Sequence, residues 1–324
     1  MMYVLGIDGG GTKTKGVITK LNGEKIAEAT VGPTNPNSIK KSDLKKELCN
    51  LFTLLKQQNT SCFFQLKHVF AGMSGVGHPA TKNMVQKVLT DLLPEHVNIT
   101  VETDAINALY SGTLGKPGIV QIAGTGSITF GLNKEGVSTR IGGWGHLIGE
   151  MGSGFALGRD ALEAAFLAHD GLGKSTIISE SLLEHFQAVK LSDIIHFVYQ
   201  EKNQKERVAS LSKIVMKAAD NGDQVAQEII RKNAEYMGKS IAFLLIKLFY
   251  EREEIPIVVT GGIFNRLDLF QTIIEEEIRQ QQLNPLLIVP KMEPVGGAVV
   301  AALIEENIVV CSDFVESFIY DRLH

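Results

Sequence analysis

Seven residues near the start of the chain, Asp8-Gly9-Gly10-Gly11-Thr12-Lys13-Thr14, follow directly on the apolar run Val4-Leu5-Gly6-Ile7. Consecutive glycines let backbone approach a charged oxygen closely. Successive N–H groups in such a turn form an anion nest. The hydroxyls of Thr12 and Thr14 add donors, Lys13 adds positive charge, and Asp8 offers a hard oxygen ligand to Mg2+ through water. A looser copy returns about a hundred residues later as Ile119-Val120-Gln121-Ile122-Ala123-Gly124-Thr125-Gly126-Ser127-Ile128-Thr129-Phe130-Gly131. Laid without a gap, Gly9 falls on Gly124, Gly11 on Gly126, Thr12 on Ser127 and Thr14 on Thr129. Either stretch alone is also a plain tight hairpin turn. Together they point to two similar lobes, each offering backbone N–H groups to phosphate across a shared cleft.

Three further places carry residues with chemical potential. Asp104 ends an apolar run and precedes a helical pattern, the position where ligands gather in open α/β sheets. A carboxylate there suits a base taking a proton from an attacking hydroxyl, and equally suits a helix N-cap. The glycine-dense stretch 142–154 holds Glu150, whose two oxygens match vicinal sugar hydroxyls, together with Gly145, His146 and Trp144. His146 and Trp144 read as packing residues. Gly261 and Gly262, between a strand and a helix, leave a flat surface for an adenine or ribose, with Asn265 within reach. Asn35 and Asn37, in the turn-rich loop 32–38, carry amides that suit sugar hydroxyls. A Walker A loop is absent: Gly173-Lys174-Ser175 has its tail, but Ala168 stands where the first glycine belongs. The Rossmann fingerprint fails because Thr129 occupies the place of its third glycine.

These residues need an α/β scaffold. Residues 3–31 read as a three-stranded meander. A helix follows, capped by Ser42 or Asp43, with Leu44, Leu48, Leu51, Leu54 and Leu55 on one face. Then come a strand at 68–72, a helix at 84–93, a strand at 97–102 and the helix opened by Asp104. The repeated hairpin starts a second lobe. Residues 155–250 are mostly helical, with 241–250 a buried helix too short to span a bilayer. Strand 255–260, a helix near 267–281, strand 286–289 and a helix at 298–305 follow. A short amphipathic end carries Phe314, Phe318 and Leu323. The chain of 324 residues is long enough for two lobes. A formal charge of −4 without a dense basic tract gives no reason to expect nucleic acid. Cys49, Cys62 and Cys311 form no CxxC pair, which fits a reducing cytoplasm. No signal peptide or membrane anchor is expected.

Taken together, residues 8–14, Ala123-Gly124-Thr125-Gly126-Ser127, 142–154 and Pro294-Val295-Gly296-Gly297-Ala298 resemble the sugar-kinase/heat-shock/actin superfamily. Within it they resemble the N-acetylglucosamine kinase group, which shares a family with the BadF/BadG/BcrA/BcrD ATPases. The resemblance implies an α/β fold of two ribonuclease H-like lobes around a central cleft, closing on ATP, Mg2+ and a sugar. It also implies a homodimer. The lobes are expected at 1–114 and 115–308, with 309–324 packing back on the first and a helical insertion in the second. It matches Asp104 to the catalytic base, and Asp8 keeps the metal-side place read from its chemistry. It matches Gly9, Gly10, Gly11, Thr12, Lys13 and Thr14 to one phosphate loop, and Gly124, Thr125 and Gly126 to the other, which also touches sugar. Gly261, Gly262 and Asn265 fall at the adenosine loop. Asn35, Asn37, Gly145 and Glu150 stand on the sugar side. Asn37 replaces an aromatic residue that animal members place near the N-acetyl group, and the zinc motif of ROK-type kinases is missing. The expected reaction is ATP-dependent phosphorylation of an amino sugar, N-acetylglucosamine at its 6-hydroxyl first. N-acetylmuramic acid, glucosamine and glucose are the alternative acceptors. The alternative activity is an ATPase that activates a partner dehydratase, and a non-catalytic sugar or nucleotide sensor is a third reading.

Overall fold

The computed structural model describes residues 2–199, 203–249 and 254–320. The chain divides into two compact units, Met1–Lys116 with Val289–His324, and Pro117–Ile288.

The first unit opens with β1 (Tyr3–Gly9), β2 (Thr14–Lys20) and β3 (Lys25–Val31), the expected meander. Then follow α1 (Lys41–Gln58), the short α2 (Thr60–Phe64), β4 (Leu66–Met73), α3 (Pro79–Leu92), β5 (Asn98–Glu102) and α4 (Asp104–Thr113). The strands form one sheet in the order β3-β2-β1-β4-β5, with β1, β2 and β3 antiparallel and β1, β4 and β5 parallel.

The second unit repeats that plan. It comprises β6 (Gly118–Ala123), β7 (Ser127–Leu132), β8 (Ser138–Gly142), α5 (Gly154–His169), α6 (Ile178–Phe186), α7 (Leu191–Val198), α8 (Gln204–Ser210), α9 (Ser212–Asp220) and α10 (Gln224–Leu248). β9 (Pro256–Thr260), a 3-10 segment (Gly262–Leu269), α11 (Gln271–Gln280) and β10 (Leu286–Ile288) complete it. Its sheet runs β10-β9-β6-β7-β8, again three antiparallel strands followed by two parallel ones. The chain then adds α12 (Pro294–Glu305) and α13 (Asp313–Ile319) to the first unit.

Central β1 is apolar at successive positions because both its faces are covered, as expected of a strand flanked by helices on two sides. Leu5 and Ile7 join a core with Leu44, Leu48, Leu51 and Leu55 of α1. Val4 belongs instead with Val295, Val299 and Leu303 of α12. Burying each of those leucines contributes about 2 kcal/mol, so Leu48→Ala removes roughly 3 kcal/mol once the cavity is included. α12 lies against the β1 backbone: a Cβ on Gly6 would stand 2.5 Å from the Val299 nitrogen.

Several sequence expectations change. α1 starts at Lys41 behind Lys40 with no side-chain cap, so Ser42 and Asp43 sit in its first turn. Leu54 points outward, 40% exposed, and leaves the buried face to Phe52. α3 begins earlier than expected, capped by His78 and opened by Pro79. α12 begins at Pro294 rather than 298. It packs in the first unit, so the second unit ends at Ile288 rather than at the expected 308. In α10, Phe243 and Ile246 are more than half exposed, so the apolar run there is one buried face with an uncovered flank. Tyr250 and Leu323 lie outside the described residues. Among the described residues, no helix is long and apolar enough to cross a membrane.

Candidate active site

In the first unit, β1 ends at Gly9, and the β1–β2 turn closes with the Gly10 N–H donating to the Lys13 carbonyl at 3.0 Å. Gly11, Thr12 and Lys13 are exposed, and the Gly11 backbone has open space before it. Thr14 differs from the expectation. It is fully buried and its hydroxyl shares a 2.7 Å hydrogen bond with Thr34, so it braces the hairpin against the following loop instead of presenting a donor. The same loop is tied down by the Thr34 N–H donating to the Gly10 carbonyl.

Asp8, the penultimate residue of β1, accepts a 2.8 Å hydrogen bond at Oδ1 from the Asn107 amide. Burial raises its proton affinity, and the Asn107 bond and the charge of Lys13 oppose that rise. Asp104 is the first residue of α4. The N-cap is Thr103, so Asp104 is not the cap its residue type suggested. Burial first, and then the neighbouring charge of Asp8, lift the Asp104 carboxyl from the ordinary 3.8 to about 7. Hydrogen bonds from the backbone N–H groups of Asp104 and Ala105 only partly offset this. Solvent still reaches part of the side chain. A carboxyl of raised proton affinity at the carboxyl end of a parallel strand suits a general base.

Asn35 and Asn37 come together at the turn after β4. The Asn35 carboxamide oxygen accepts the Asn37 N–H at 2.9 Å, and Asn37 Nδ2 donates to the Gly75 carbonyl. Their loop therefore stands in the same unit as Asp8 and Asp104.

In the second unit the corresponding hairpin is shorter. β6 ends at Ala123 and β7 starts at Ser127, with Ala123 facing Ser127, whereas Gly9 faces Thr14 across four intervening residues. The gap-free match of the two motifs is therefore a match of sequence alone. Closure is alike: the Gly124 N–H donates to the Gly126 carbonyl at 2.9 Å. The start of α5, capped by Ser153, docks on this turn through Gly154 N–H to the Gly124 carbonyl and Phe155 N–H to the Thr125 carbonyl. Thr125 is exposed.

Glu150 lies against the same turn. A Cβ on Gly126 would stand 2.9 Å from Glu150 Oε2, and Oε2 pairs with Lys205 Nζ at 3.0 Å. Gly145 stands in open space, its carbonyl accepting the N–H groups of Ile148 and Gly149. Trp144 is not a core residue. It is 58% exposed, with the Arg140 guanidinium stacked 4.0 Å from its ring centre. His146 meets Phe155 edge-on, and the two line an open pocket of about 860 Å³ with Leu162, Phe166, Arg159 and Glu163.

Gly261 adopts φ +108°, and a Cβ there would stand 2.3 Å from the Ala123 carbonyl oxygen. Only glycine takes that backbone at that distance. Gly262 faces open space and Asn265 is exposed, so the turn between β9 and the 3-10 segment presents bare backbone. Arg266 anchors it through paired contacts to Asp220 and Asp268.

Three residues absent from the sequence reading do positioning work: Asn107 on Asp8, Thr34 on the first hairpin and Lys205 on Glu150. A signal existed for Asn107 alone. It stands three residues after Asp104 on a helix, the spacing that puts both on one face.

A model of the BadF/BadG/BcrA/BcrD ATPase family matches residues 5–302. The chain belongs to that family. Membership brings ATP as the nucleotide, and relatives within reach of this chain are kinases by name. The N-acetyl-D-glucosamine kinase of Dictyostelium discoideum is 36% identical over 92% of this chain and 97% of its own. The N-acetylmuramic acid/N-acetylglucosamine kinase of Clostridium acetobutylicum is 31% identical over 93% of this chain and 98% of its own. A solved Chromobacterium violaceum structure, provisionally named an N-acetylglucosamine kinase, superposes with a TM-score of 0.72 at 22% identity, covering 92% of this chain and 98% of that one. The fold is thus the actin-like one of sugar kinases, as the repeated β3-β2-β1-β4-β5 plan of this BadF/BadG/BcrA/BcrD member requires.

Proposed function

We propose that the protein is an ATP-dependent amino-sugar kinase, with N-acetylglucosamine phosphorylated at its 6-hydroxyl as the leading reaction. The observation that carries this is the place of Asp104, the first residue of α4 just past the carboxyl end of parallel strand β5, where burial and the charge of Asp8 raise its proton affinity. The names of two relatives more than 30% identical over nearly the whole chain support the substrate class.

Asp104 accepts the proton of the sugar hydroxyl as its oxygen forms a bond to the γ-phosphorus. The bond from that phosphorus to the bridging oxygen breaks, and ADP leaves with the electron pair. Catalysis of this kind is mostly positioning and charge stabilisation. The turn of Gly9, Gly10, Gly11, Thr12 and Lys13 and the turn of Gly124, Thr125 and Gly126 hold phosphate oxygens through the N–H groups other than those of Gly10 and Gly124, which close the turns, with the Lys13 ammonium adding charge. Thr14 braces the first of these turns through Thr34. Gly261, Gly262 and Asn265 receive the nucleoside. Asn35, Asn37, Gly145 and Glu150 orient the sugar.

Asp8 fits Mg2+. Its carboxylate keeps one oxygen off Asn107, and no group of three or more His, Cys, Asp or Glu residues among those described forms a protein cage for a metal. A single carboxylate is the usual protein share for a cation that nucleotide phosphates and waters also hold. When bound, the ion neutralises charge on the β- and γ-phosphates. We also propose a cytoplasmic homodimer. The free thiols Cys49, Cys62 and Cys311 suit a reducing compartment.

The test is ADP release with N-acetylglucosamine, N-acetylmuramic acid, glucosamine, glucose or no sugar. Release stimulated at least tenfold by an amino sugar supports the kinase. Hydrolysis indifferent to every sugar supports the dehydratase-activating ATPase instead.

A further inference from the structure

Asn107 is fully buried in α4, one helical turn past Asp104. Its Nδ2 reaches Asp8 Oδ1 at 2.8 Å, the Gly72 carbonyl at 3.0 Å and the Ile7 carbonyl at 3.2 Å. An amide nitrogen has two hydrogens, so three acceptors share them, and the amide holds the ends of β1 and β4 and the Asp8 carboxylate at once. Its orientation is forced, because the reverse arrangement would aim Oδ1 at three oxygens. Its position is forced as well. A Cβ on Gly72 would stand 2.0 Å from Asn107 Oδ1, and one on Gly297 would stand 1.9 Å from the Asn107 backbone oxygen. The residue is therefore clamped between two glycines.

The residue type matters. A lysine or arginine here would neutralise Asp8 and compete with a cation. A carboxylate would repel it. An amide fixes the direction of the Asp8 carboxylate and leaves its charge in place. Asn107 Oδ1 is itself buried with no hydrogen-bond partner.

We propose that Asn107 is the positioning residue that aims the Asp8 carboxylate at the divalent cation of the bound nucleotide. This rests on the reading of Asp8 as the metal-side carboxylate. Groups that orient a metal ligand typically change metal affinity by about 10–100-fold when removed.

The test is Mn2+ binding, followed by electron paramagnetic resonance, to the protein saturated with the non-hydrolysable analogue AMPPNP. Wild type, Asn107→Ala, Asp8→Asn and the double variant are compared, with folding checked by circular dichroism. Asn107→Ala is expected to weaken Mn2+ by about 10–100-fold. In the Asp8→Asn background the same change is expected to matter less than about twofold, the scatter within which uncoupled sites add. Wild-type affinity in Asn107→Ala overturns the proposal, and so does an equal loss in both backgrounds. Wild-type affinity in Asp8→Asn overturns the reading of Asp8 instead, which keeps the two failures apart. Should Asn107→Ala fail to fold, the wild-type protein decides. With 15N-asparagine label and AMPPNP bound, the Asn107 side-chain resonance is expected to broaden on addition of Mn2+, and an unchanged resonance overturns the proposal.

Discussion

Asp104→Asn separates the environment of the carboxyl from its chemistry. Unfolded, Asp104 releases its proton near 3.8, and folded it does so at about 7. The folded state therefore binds the proton more tightly, and stability contributed by Asp104 is full below about pH 4 and is lost as pH rises towards 7. Each tenfold of proton affinity corresponds to 1.36 kcal/mol, so the gap sets a ceiling of about 4 kcal/mol against the folded state at pH 8. Solvent reaches part of the side chain and screens the ionised form, which brings the expected figure to about 2 kcal/mol. Asparagine keeps the shape and an acceptor for the helix N-terminus but carries no charge. The variant is expected to match wild type in urea unfolding at pH 4 and to exceed it by about 2 kcal/mol at pH 8, with the difference opening between those values. Its turnover is expected to fall by about 10²–10⁴-fold, the usual contribution of a positioned base. Stability differences that are flat from pH 4 to pH 8 refute the claimed environment. A variant with near-normal kcat refutes the claimed role.

Other perturbations read the neighbouring parts. Since Asp8 raises the proton affinity of Asp104 through its charge, the acid limb of kcat/KM is expected near pH 7 in wild type and at lower pH in Asp8→Asn. A limb that does not move breaks the link between the two carboxyls. Gly261→Ala is expected to weaken nucleotide binding measured by calorimetry by at least tenfold, because its Cβ would stand 2.3 Å from a carbonyl oxygen at φ +108°. Unaltered affinity excludes this turn from the nucleotide site. Glu150→Gln keeps the side-chain shape but loses the ion pair with Lys205. Sugar KM is expected to rise by about 10–100-fold with ATP affinity unchanged, and an unaltered KM removes Glu150 from the sugar site. Activity is expected to vanish with excess EDTA and to return with Mg2+; turnover that persists in EDTA contradicts the metal role of Asp8.

Much of this architecture is legible in the residues because its signals are local. The meander 3–31 shows as apolar runs punctuated by Gly10-Gly11 and Asn22-Gly23, and β1, β2 and β3 follow those breaks. The double-sided burial of β1 shows as an unbroken Val4-Leu5-Gly6-Ile7 run. What the sequence hides depends on partners far along the chain. Thr14 looks like a free hydroxyl until Thr34 is placed beside it. Asp104 looks like an N-cap by type, yet Thr103 holds that place, and the charge of Asp8, some hundred positions away, raises its proton affinity. Trp144 reads as core or loop packing by type, and the Arg140 stacked on one face with solvent over the rest makes it loop packing. The turn-length difference between the two hairpins is invisible to a gap-free match because glycines fill both turns, and only strand register reveals it.

The most direct measurement of the central claim is the fate of the γ-phosphoryl group, followed by 31P nuclear magnetic resonance during turnover with Mg·ATP and N-acetylglucosamine. One sugar 6-phosphate per ADP is expected from wild type, and neither product at a comparable rate from Asp104→Asn. ADP accumulating with inorganic phosphate and no sugar phosphate, or sugar phosphate formed as fast by Asp104→Asn, would contradict it.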